Sequence, residues 1–268
     1  VDILLLKVKT FYRIYEQSRK LIEIQKALLD EIEFRKKAER KKDEFISIAS
    51  HELKTPLTSV KGYVQLLGRS VDKGDIPTVK KHLAKAQVQL EKLNELIADL
   101  LDISKIESGK LKFNKKHFVM DTLLDGVLEI IHQANPEFNF IRKGTAPQQI
   151  YADEMRIEQV IVDFLTNAIK YSPGTSRVEI NVHSTGDKLY LGGRDFGIGI
   201  EPELQKHVFE KFYRVEETSI HFQGLGIGLY ISAEIINRHG GEVGVKSKLG
   251  EGSEFYFTLP LNTVPATD

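Results

Sequence analysis

The chain has 268 residues, of which 41% are hydrophobic and 28% charged, a composition typical of globular proteins. Basic and acidic residues number 38 each, so there is no net positive charge to hold nucleic acid. The absence of Cys excludes disulfides and thiolate metal sites, and it favours a reducing, cytoplasmic compartment. No apolar run near the start is long enough to span a membrane, so no membrane contact is expected within this chain. The start at Val1 rather than Met predicts a fragment, which an upstream sensor or membrane anchor could precede.

Residues 1–42 are predicted to form a signalling helix or coiled-coil linker. Neither Gly nor Pro occurs between residues 8 and 48, and apolar residues recur at steps of three and four: Leu21, Ile24, Leu28 and Ile32. The basic cluster between Arg35 and Lys42 is interpreted as a solvated helix face rather than a patch for lipid or nucleic acid.

Residues 43–109 are predicted to form a helical hairpin. Heptad spacing runs through Leu53, Leu57, Val60, Val64 and Leu67, and then through Val79, Leu83, Ala86, Leu90, Leu93, Ile97 and Leu100. Turn-forming residues separate the two series between Gly68 and Pro77, and Gly109 is a helix stop. One hairpin has only a narrow seam to bury, so we expect a homodimer that forms a four-helix bundle.

Residues 110–262 are predicted to form an α/β sandwich, with residues 263–268 as a polar tail. Short alternating runs predict strands around Val178–Val182, Leu189–Leu191, Val243–Val245 and Phe255–Leu259. Helical stretches near 123–131, 154–170 and 229–238 interleave with these strands. Hairpins rather than regular crossovers indicate an α+β fold for the whole chain.

A candidate phosphoryl acceptor lies on the first heptad helix. His51, within the segment Ser50 to Leu57, is one residue off the apolar seam and should point to solvent. Thr55 lies four residues on and shares its helix face, and Pro56 should kink the helix just beyond. One imidazole nitrogen can attack a phosphoryl group, while a hydrogen bond from the other to Glu52 would raise its nucleophilicity.

The first candidate nucleotide-binding segment lies about 110 residues after His51 in the sequence. Asp163 and Asn167 are four residues apart on a predicted helix, and oxygen ligands at that spacing suit Mg²⁺. Lys170 could add a positive charge near phosphates, and Tyr171 an aromatic surface.

Two glycine-containing segments complete the candidate nucleotide site. The carboxylate of Asp195 could accept a hydrogen bond from an adenine amino group, while Gly197 and Gly199 let backbone approach a ligand. The segment from Gly224 to Leu229 leads into a helix, whose first backbone N–H groups favour phosphate. It contains Gly224, Leu225, Gly226, Gly228 and Leu229.

In this order and spacing, these segments resemble the conserved boxes of the sensor histidine kinases of two-component systems. The segment His51 to Leu57 is similar to the H box, Asn167 to Pro173 to the N box, and Asp195 to Ile200 to the first G box. Phe209 to Arg214 resembles the F box and Gly224 to Leu229 the second G box. The resemblance covers roughly residues 43–261, and it implies a dimeric phosphoacceptor hairpin before an ATP-binding sandwich of the histidine kinase and chaperone ATPase type.

The resemblance also implies a role for each box. His51 would be the phosphoacceptor and Glu52 its general base, while Thr55 would orient water in a reverse, phosphatase reaction. Asn167 would hold Mg²⁺, Asp195 would select adenine, and Lys170 and Arg214 would steady the phosphates of ATP. Residues 212–228 would form a lid over ATP, and the phosphoryl group would pass to an Asp of a response regulator receiver domain.

Two departures from the family pattern keep alternatives open. Asp163 stands where many relatives have Asn, and Gly192-Gly193 stands where relatives usually have a β-branched strand residue, which predicts a weakened pocket. One alternative is a degenerate, non-catalytic dimer that docks a receiver domain. The other is a different ATPase on the same nucleotide fold, against which the H box on a dimerising hairpin argues.

Overall fold

The computed structural model describes residues 2–213 and 225–261, and the chain divides into two compact units, residues 1–51 and 52–268. The first unit is the N-terminal part of helix α1 (Asp2–Asp72). Its apolar residues Leu21, Leu28 and Ile32 are exposed in the single chain, as a coiled-coil helix without its partner would be. Among the described residues, no helix has the length and apolar character needed to cross a membrane.

The structure confirms the predicted helical hairpin, most of which lies in the second unit. Helix α1 continues to Asp72, and helix α2 (Ile76–Glu107) follows a turn at Gly74, whose φ is 68°. The Asp75 side chain caps α2 by accepting a hydrogen bond from the Thr78 N–H at 3.2 Å. Gly109, with a φ of 66°, ends α2 as predicted.

Pro56 lies inside helix α1, and the chain stays helical on both sides of it. Proline removes one backbone donor from the helix. Two hydroxyls just after it donate to carbonyls one turn back, from Thr58 Oγ1 to Lys54 O at 2.8 Å and from Ser59 Oγ to Thr55 O at 3.1 Å. The carbonyls of Lys54 and Thr55 thus each receive a side-chain donor close to the point where proline removes a backbone donor.

A sandwich of helices on one mixed sheet follows the hairpin. The strands of the sheet are β2 (Asn139–Lys143), β4 (Arg177–Thr185), β5 (Lys188–Arg194), β6 (Glu242–Lys248) and β7 (Gly252–Pro260). Their order in the sheet is β2-β4-β5-β7-β6; β2 and β4 pair in parallel, and the other neighbouring strands pair antiparallel. Strands β1 (Lys116–Val119) and β3 (Gln149–Ala152) form a separate antiparallel pair. The helices are α3 (Met120–Ala134), α4 (Glu154–Lys170), the short α5 (Pro202–Gln205) and α6 (Gly228–Arg238).

The core lies between the sheet and the helices. Phe164 of α4 is fully buried and contacts the rings of Phe255 and Phe257 on β7. Val243 pairs with Phe257 and Val245 with Phe255, so the predicted hairpin of β6 and β7 is confirmed. The predicted hairpin of β4 and β5 is confirmed too, whereas β1, β2 and β3 were not predicted.

Gly192 and Gly193 lie on opposite faces of strand β5. A side chain at Gly193 would face the helices, with its Cβ 3.5 Å from Leu165 Cδ2, an ordinary contact. A Cβ at Gly192 would lie only 2.8 Å from Glu254 Oε1 and 3.1 Å from the Tyr190 ring on the outer face. Glu254 Oε1 accepts hydrogen bonds from Asn181 Nδ2 at 2.8 Å and from Tyr190 OH at 3.1 Å. The glycine at position 192 therefore makes room for this polar cluster, on the sheet face that the helices do not cover.

Candidate active site

The candidate acceptor residues occupy consecutive turns of helix α1. His51 is exposed, as expected from its place one residue off the apolar seam, and Thr55 is exposed as well. Glu52 is half-buried. Helix α1 is continuous through all three, so the spacing of four residues places His51 and Thr55 on the same face. The imidazole can therefore be reached from solvent.

Asp195 is the buried carboxylate of the nucleotide region. It follows the end of strand β5, and its Oδ1 accepts hydrogen bonds from the N–H groups of Gly197 at 2.9 Å and Ser253 at 3.2 Å. Burial raises its pKa, and the bonds from Gly197 and Ser253 partly oppose the shift. Within the described residues Oδ2 accepts no hydrogen bond. One oxygen is thus fixed by backbone while the other is left for a donor such as the adenine amino group.

The loop after Asp195 can approach its neighbours only because it carries glycine. A Cβ at Gly197 would lie 1.8 Å from the carbonyl oxygen of Tyr171, which ends helix α4. Gly199 has a φ of 70°, and a Cβ there would lie 2.1 Å from Lys248 O. These contacts hold the loop between the end of α4 and the β6–β7 hairpin. The two glycines that the sequence indicated therefore act by shaping the site.

Ser172 is a member of this region that the sequence did not single out. It is buried, and its Oγ has no hydrogen-bond partner within the described residues. Its Cα would be 2.8 Å from a Cβ at Gly197, so it lies against the loop that carries Asp195. The Ser172 hydroxyl can both donate and accept a hydrogen bond. The region therefore offers both a donor and an acceptor to a polar ligand.

Asp163 and Asn167 lie together on helix α4, as their spacing predicts. Asn167 Nδ2 donates to Asp163 Oδ1 at 3.3 Å, which leaves the Asn167 Oδ1 for a cation. Ser232 of helix α6 donates to Asp163 Oδ2 at 2.9 Å, a partner that sequence reasoning missed. Burial raises the pKa of Asp163 to about 6, against the opposing effects of Ser232, Lys170 and Asn167. Asp163 thus links the two helices that flank the site.

The remaining predicted residues lie near the ends of α4 and α6 or outside the described residues. Lys170 Nζ lies 5.1 Å from the centre of the Tyr171 ring, and both side chains are half-buried. Gly228 begins helix α6 where a Cβ would meet Asp163 Oδ1 at 2.7 Å. Leu225 is buried, Leu229 is half-buried, and Gly226 has a φ of 69°. Arg214, Gly224 and most of the predicted lid fall in residues 214–224, outside the described part of the chain.

The second domain is thus a five-stranded mixed sheet covered by helices, with its candidate polar residues at one helix end and one strand end. Residues 152–263 match the family model described as histidine kinase-, DNA gyrase B-, and HSP90-like ATPase. Residues 41–109 match the His Kinase A (phospho-acceptor) domain. The domain boundaries predicted at residues 42/43, 109/110 and 262/263 stay a prediction.

Two relatives align with most of the chain. The chain is 32% identical over 250 residues to the sensor protein kinase WalK of Staphylococcus epidermidis, covering 90% of this chain and 40% of that protein. It is 30% identical over 240 residues to the sensor histidine kinase WalK of Bacillus subtilis, covering 87% of this chain and 39% of that protein. The chain thus spans about two fifths of these relatives.

Solved structures share the fold. The Acinetobacter baumannii histidine kinase AdeS has a TM-score of 0.58 at 25% identity, over 80% of this chain and 98% of that one. The histidine kinase ThkA in complex with the response regulator protein TrrA has a TM-score of 0.59 at 21% identity, over 82% of this chain and 61% of that one. With both domain families matched in order, the chain belongs to the sensor histidine kinases of two-component systems.

Proposed function

We propose that this chain transfers the γ-phosphoryl group of Mg·ATP to its own His51 and then to an aspartate of a response regulator receiver domain. The observation that carries the proposal is the pairing of an exposed histidine on α1 with an ATPase domain whose buried Asp195 keeps one carboxylate oxygen for a ligand donor. A receiver domain as partner is supported by the related fold of ThkA, whose structure is a complex with a response regulator protein.

Each residue has a separate task in the proposed reaction. A neutral nitrogen of His51 attacks the γ-phosphorus, the bond to the bridging oxygen of ADP breaks, and Glu52 takes the proton from the other ring nitrogen. The oxygens that would hold Mg²⁺ are Asn167 Oδ1 and those of the Asp163 carboxylate. When bound, Mg²⁺ would neutralise negative charge on the phosphates of ATP. Asp195 would orient adenine, and Lys170 and Arg214 would steady the phosphates.

Homodimerisation through the hairpin belongs to the same proposal. Leu57 and Val64 on α1, and Leu83, Leu90 and Ile97 on α2, are exposed in the single chain at heptad spacing. A second copy would cover this seam and complete a four-helix bundle. We also infer a cytoplasmic location, because the chain has no Cys and its proposed substrate is ATP.

The test of the proposal is a radiolabel assay with ATP, Mg²⁺ and the purified chain. Wild type should acquire a label that is labile in acid and stable in base, and His51→Gln should acquire none while it binds ATP unchanged. His117→Gln removes another exposed histidine, on β1, and should keep the wild-type label. Wild-type label that persists in His51→Gln would exclude this residue as acceptor. Absence of label in a dimer that still binds a receiver domain would support the non-catalytic alternative.

The nucleotide assignment has its own test. Asp195→Asn replaces one acceptor oxygen by a donor, so we expect weaker ATP binding and a loss of preference over GTP. Calorimetric titration with both nucleotides measures this, and light scattering should show an unchanged dimer. Equal ATP affinity in wild type and variant would remove Asp195 from the adenine site.

Thr55 separates the two reactions proposed at this helix face. A hydroxyl can orient the water that attacks the aspartyl phosphate of a docked regulator, whereas the forward reaction needs no water there. Thr55→Ala should therefore keep most autophosphorylation and lose most phosphatase activity. Equal loss of both activities would make Thr55 a structural residue.

A further inference from the structure

The helix-facing side of the β6–β7 hairpin changes from apolar to polar at its turn end. Val245 lies opposite Phe255, and two residues further along β6 Ser247 lies opposite Ser253 on the same side of the sheet. Ser253 is 5% exposed and Ser247 is half-buried. Because removing a hydroxyl from water is costly unless it is hydrogen-bonded, this pair of serines needs polar partners within the fold.

The Ser247 hydroxyl makes three hydrogen bonds, which use its full capacity. It donates to Gly252 O at 3.0 Å and accepts from the Ile200 N–H at 2.8 Å. Its oxygen also lies 2.8 Å from Ser253 Oγ. A hydroxyl has one proton and two lone pairs, so the Ser253 hydroxyl must be the donor in this third bond. One side chain is thus bonded to three different residues.

The three partners hold both ends of the loop of residues 195–200, hereafter the Asp195 loop. At its start, Asp195 N donates to Ser253 O at 2.8 Å, and Ser253 N donates to Asp195 Oδ1 at 3.2 Å. Gly252 lies against the same residue, since a Cβ there would be 2.2 Å from Asp195 O. At its end, Ile200 is bonded to Ser247 directly. The Ser247 hydroxyl therefore fixes the start of the loop through β7 and the end of the loop by itself.

Gln205, the last residue of helix α5, fixes the end of the loop from the other side. Its Nε2 donates to Ile200 O and to Ser247 O, each at 2.9 Å. An amide nitrogen carries two protons, so both are used. Ile200 thus has its N–H bonded to one side chain and its C=O to another. The hydrogen bonds of Ser247 and Gln205 to the loop and to β7 are hereafter called the Ser247–Gln205 brace.

The brace bears on the carboxylate because Asp195 lies just beyond the last residue of strand β5. The bond from Ser253 N to Oδ1 helps to set the rotation of the carboxylate, and so decides which oxygen is left for a ligand. Hydrogen bonds lose strength steeply with distance and angle. A binding group must therefore be held to within about 0.5 Å by the residues behind it.

We propose that Ser247 and Gln205 are positioning residues for nucleobase selection, which brace the Asp195 loop so that the second oxygen of Asp195 stays within reach of the adenine amino group. The inference rests on the proposed role of Asp195 in binding adenine. In the described part of the chain neither side chain bonds to Asp195, so both act through backbone. The brace acts at the base of the nucleotide, so binding that depends on the phosphates should be unaffected.

Calorimetric titration with ATP and GTP tests the brace. Ser247→Ala removes the hydroxyl, so we expect about tenfold weaker ATP binding with GTP binding unchanged. Ser247→Thr keeps a hydroxyl and should bind ATP within about twofold of wild type. Ser184→Ala is the matched control, because it removes a hydroxyl that is bonded to Gln148 near the opposite end of the sheet. This control should keep wild-type affinity for both nucleotides.

Gln205→Leu releases the same end of the loop without changing the β6–β7 hairpin, and it keeps the test if Ser247→Ala fails to fold. We expect about threefold weaker ATP binding. The double variant with Ser247→Ala should stay near the tenfold loss of the single change, because both changes free Ile200. Autophosphorylation should show a raised KM for ATP at unchanged kcat. An equal fall in GTP affinity, or a matching fall in kcat, would overturn the proposal, because the effect would then be a general loss of structure.

Amide hydrogen exchange of the chain without nucleotide measures the brace itself. Residues 195–200 should exchange about tenfold faster in Ser247→Ala, while helix α3 keeps its wild-type rates. A preference for ATP over GTP that survives in both Ser247→Ala and Gln205→Leu would overturn the proposal, whatever the exchange rates. A chain that shows the expected nucleotide affinities but leaves His51 unlabelled would disprove the proposed phosphotransfer, while the role of the brace would stand.

Discussion

The hairpin and the nucleotide domain bury their apolar residues in different ways. In the nucleotide domain, Phe164, Leu191 and Phe257 are buried within one chain, between helices and sheet. In the hairpin, Leu57, Val64, Leu83, Leu90 and Ile97 lie at heptad spacing and are exposed. The first region is complete as a folded core, whereas the second presents a surface that another helix pair would complete.

This difference separates what each region needs in order to act. A nucleotide site must hold Asp195 and Asn167 in fixed positions, and a closed core supplies that rigidity. The acceptor helix must instead present His51 to more than one partner, and exposure on a long helix serves that need. Variants in the two regions should therefore have separable effects, the largest of them on assembly.

The largest expected effect is the loss of the dimer. Leu83→Glu with Leu90→Glu removes four leucines from a two-chain bundle and introduces four carboxylates. Since each leucine is about half exposed in the single chain, lost burial alone should cost roughly 4 kcal/mol, which is about a thousandfold in the dimer dissociation constant, and the buried carboxylates add to this cost. Light scattering at micromolar concentration should show monomers, with ATP binding retained.

Val88→Glu is the matched control for this prediction. Val88 is 57% exposed on the same helix, against 48% for Leu83 and 46% for Leu90, but it lies off the heptad seam. If the variant with Leu83→Glu and Leu90→Glu is still a dimer, the heptad seam is not the dimer interface. If Val88→Glu is a monomer, any added charge on α2 disrupts the dimer.

The next largest effect should fall on the nucleotide domain alone. Phe164→Ala empties a fully buried position between α4 and β7, which costs about 3–5 kcal/mol. Chemical denaturation should show the nucleotide domain unfolding earlier, while the dimer persists through the hairpin. Met155→Ala changes a highly exposed residue of the same helix and should leave stability unchanged. Loss of the dimer in Phe164→Ala would show that the hairpin and the nucleotide domain do not fold independently.

Two adjacent glycines sharpen the comparison within the sheet. Gly192→Val should destabilise the domain by about 1–3 kcal/mol, because its side chain would displace Glu254 and Tyr190. Gly193→Ala meets Leu165 at an ordinary contact distance and should change stability by less than about 1 kcal/mol. Thermal unfolding of the two variants provides the comparison. Equal destabilisation would show that strand conformation, rather than the polar cluster, requires Gly192.

The sequence predicted the parts whose signal is local. Heptad spacing identified both hairpin helices, and the turns at Gly74 and Gly109 are glycines with positive φ. Spacing of four residues brought Asp163 and Asn167 together. The bond from Ser232 to Asp163 and the pair of Arg156 with Asp102 join residues 69 and 54 apart, and no pattern along the chain indicates such contacts. Strand β2 was missed because Arg142 interrupts its apolar pattern, and this residue pairs with Asp121 and Asp125 of α3.

The smallest expected effect concerns the carboxylate that departs from the family pattern. Burial raises the pKa of Asp163 to about 6 in the folded chain, whereas an unfolded aspartate titrates near 4. The folded state therefore binds the proton more tightly, so stability should fall as pH rises from about 4 to 6 and stay lower above that range. Asp163→Asn cannot ionise, and its amide can still accept the bond from Ser232.

We expect Asp163→Asn to be more stable than wild type at pH 8 by about 1–2 kcal/mol, with the difference vanishing near pH 4. Urea unfolding without nucleotide at both pH values measures this. Glu242→Gln removes an exposed carboxylate of the same domain and should show no such dependence. A gain in stability that is equal at pH 4 and pH 8 would assign the effect to packing. If Asp163→Asn were less stable than wild type at pH 8, the folded chain would stabilise the ionised carboxylate. The pKa of Asp163 would then be lowered, whereas its burial between α4 and α6 is expected to raise it.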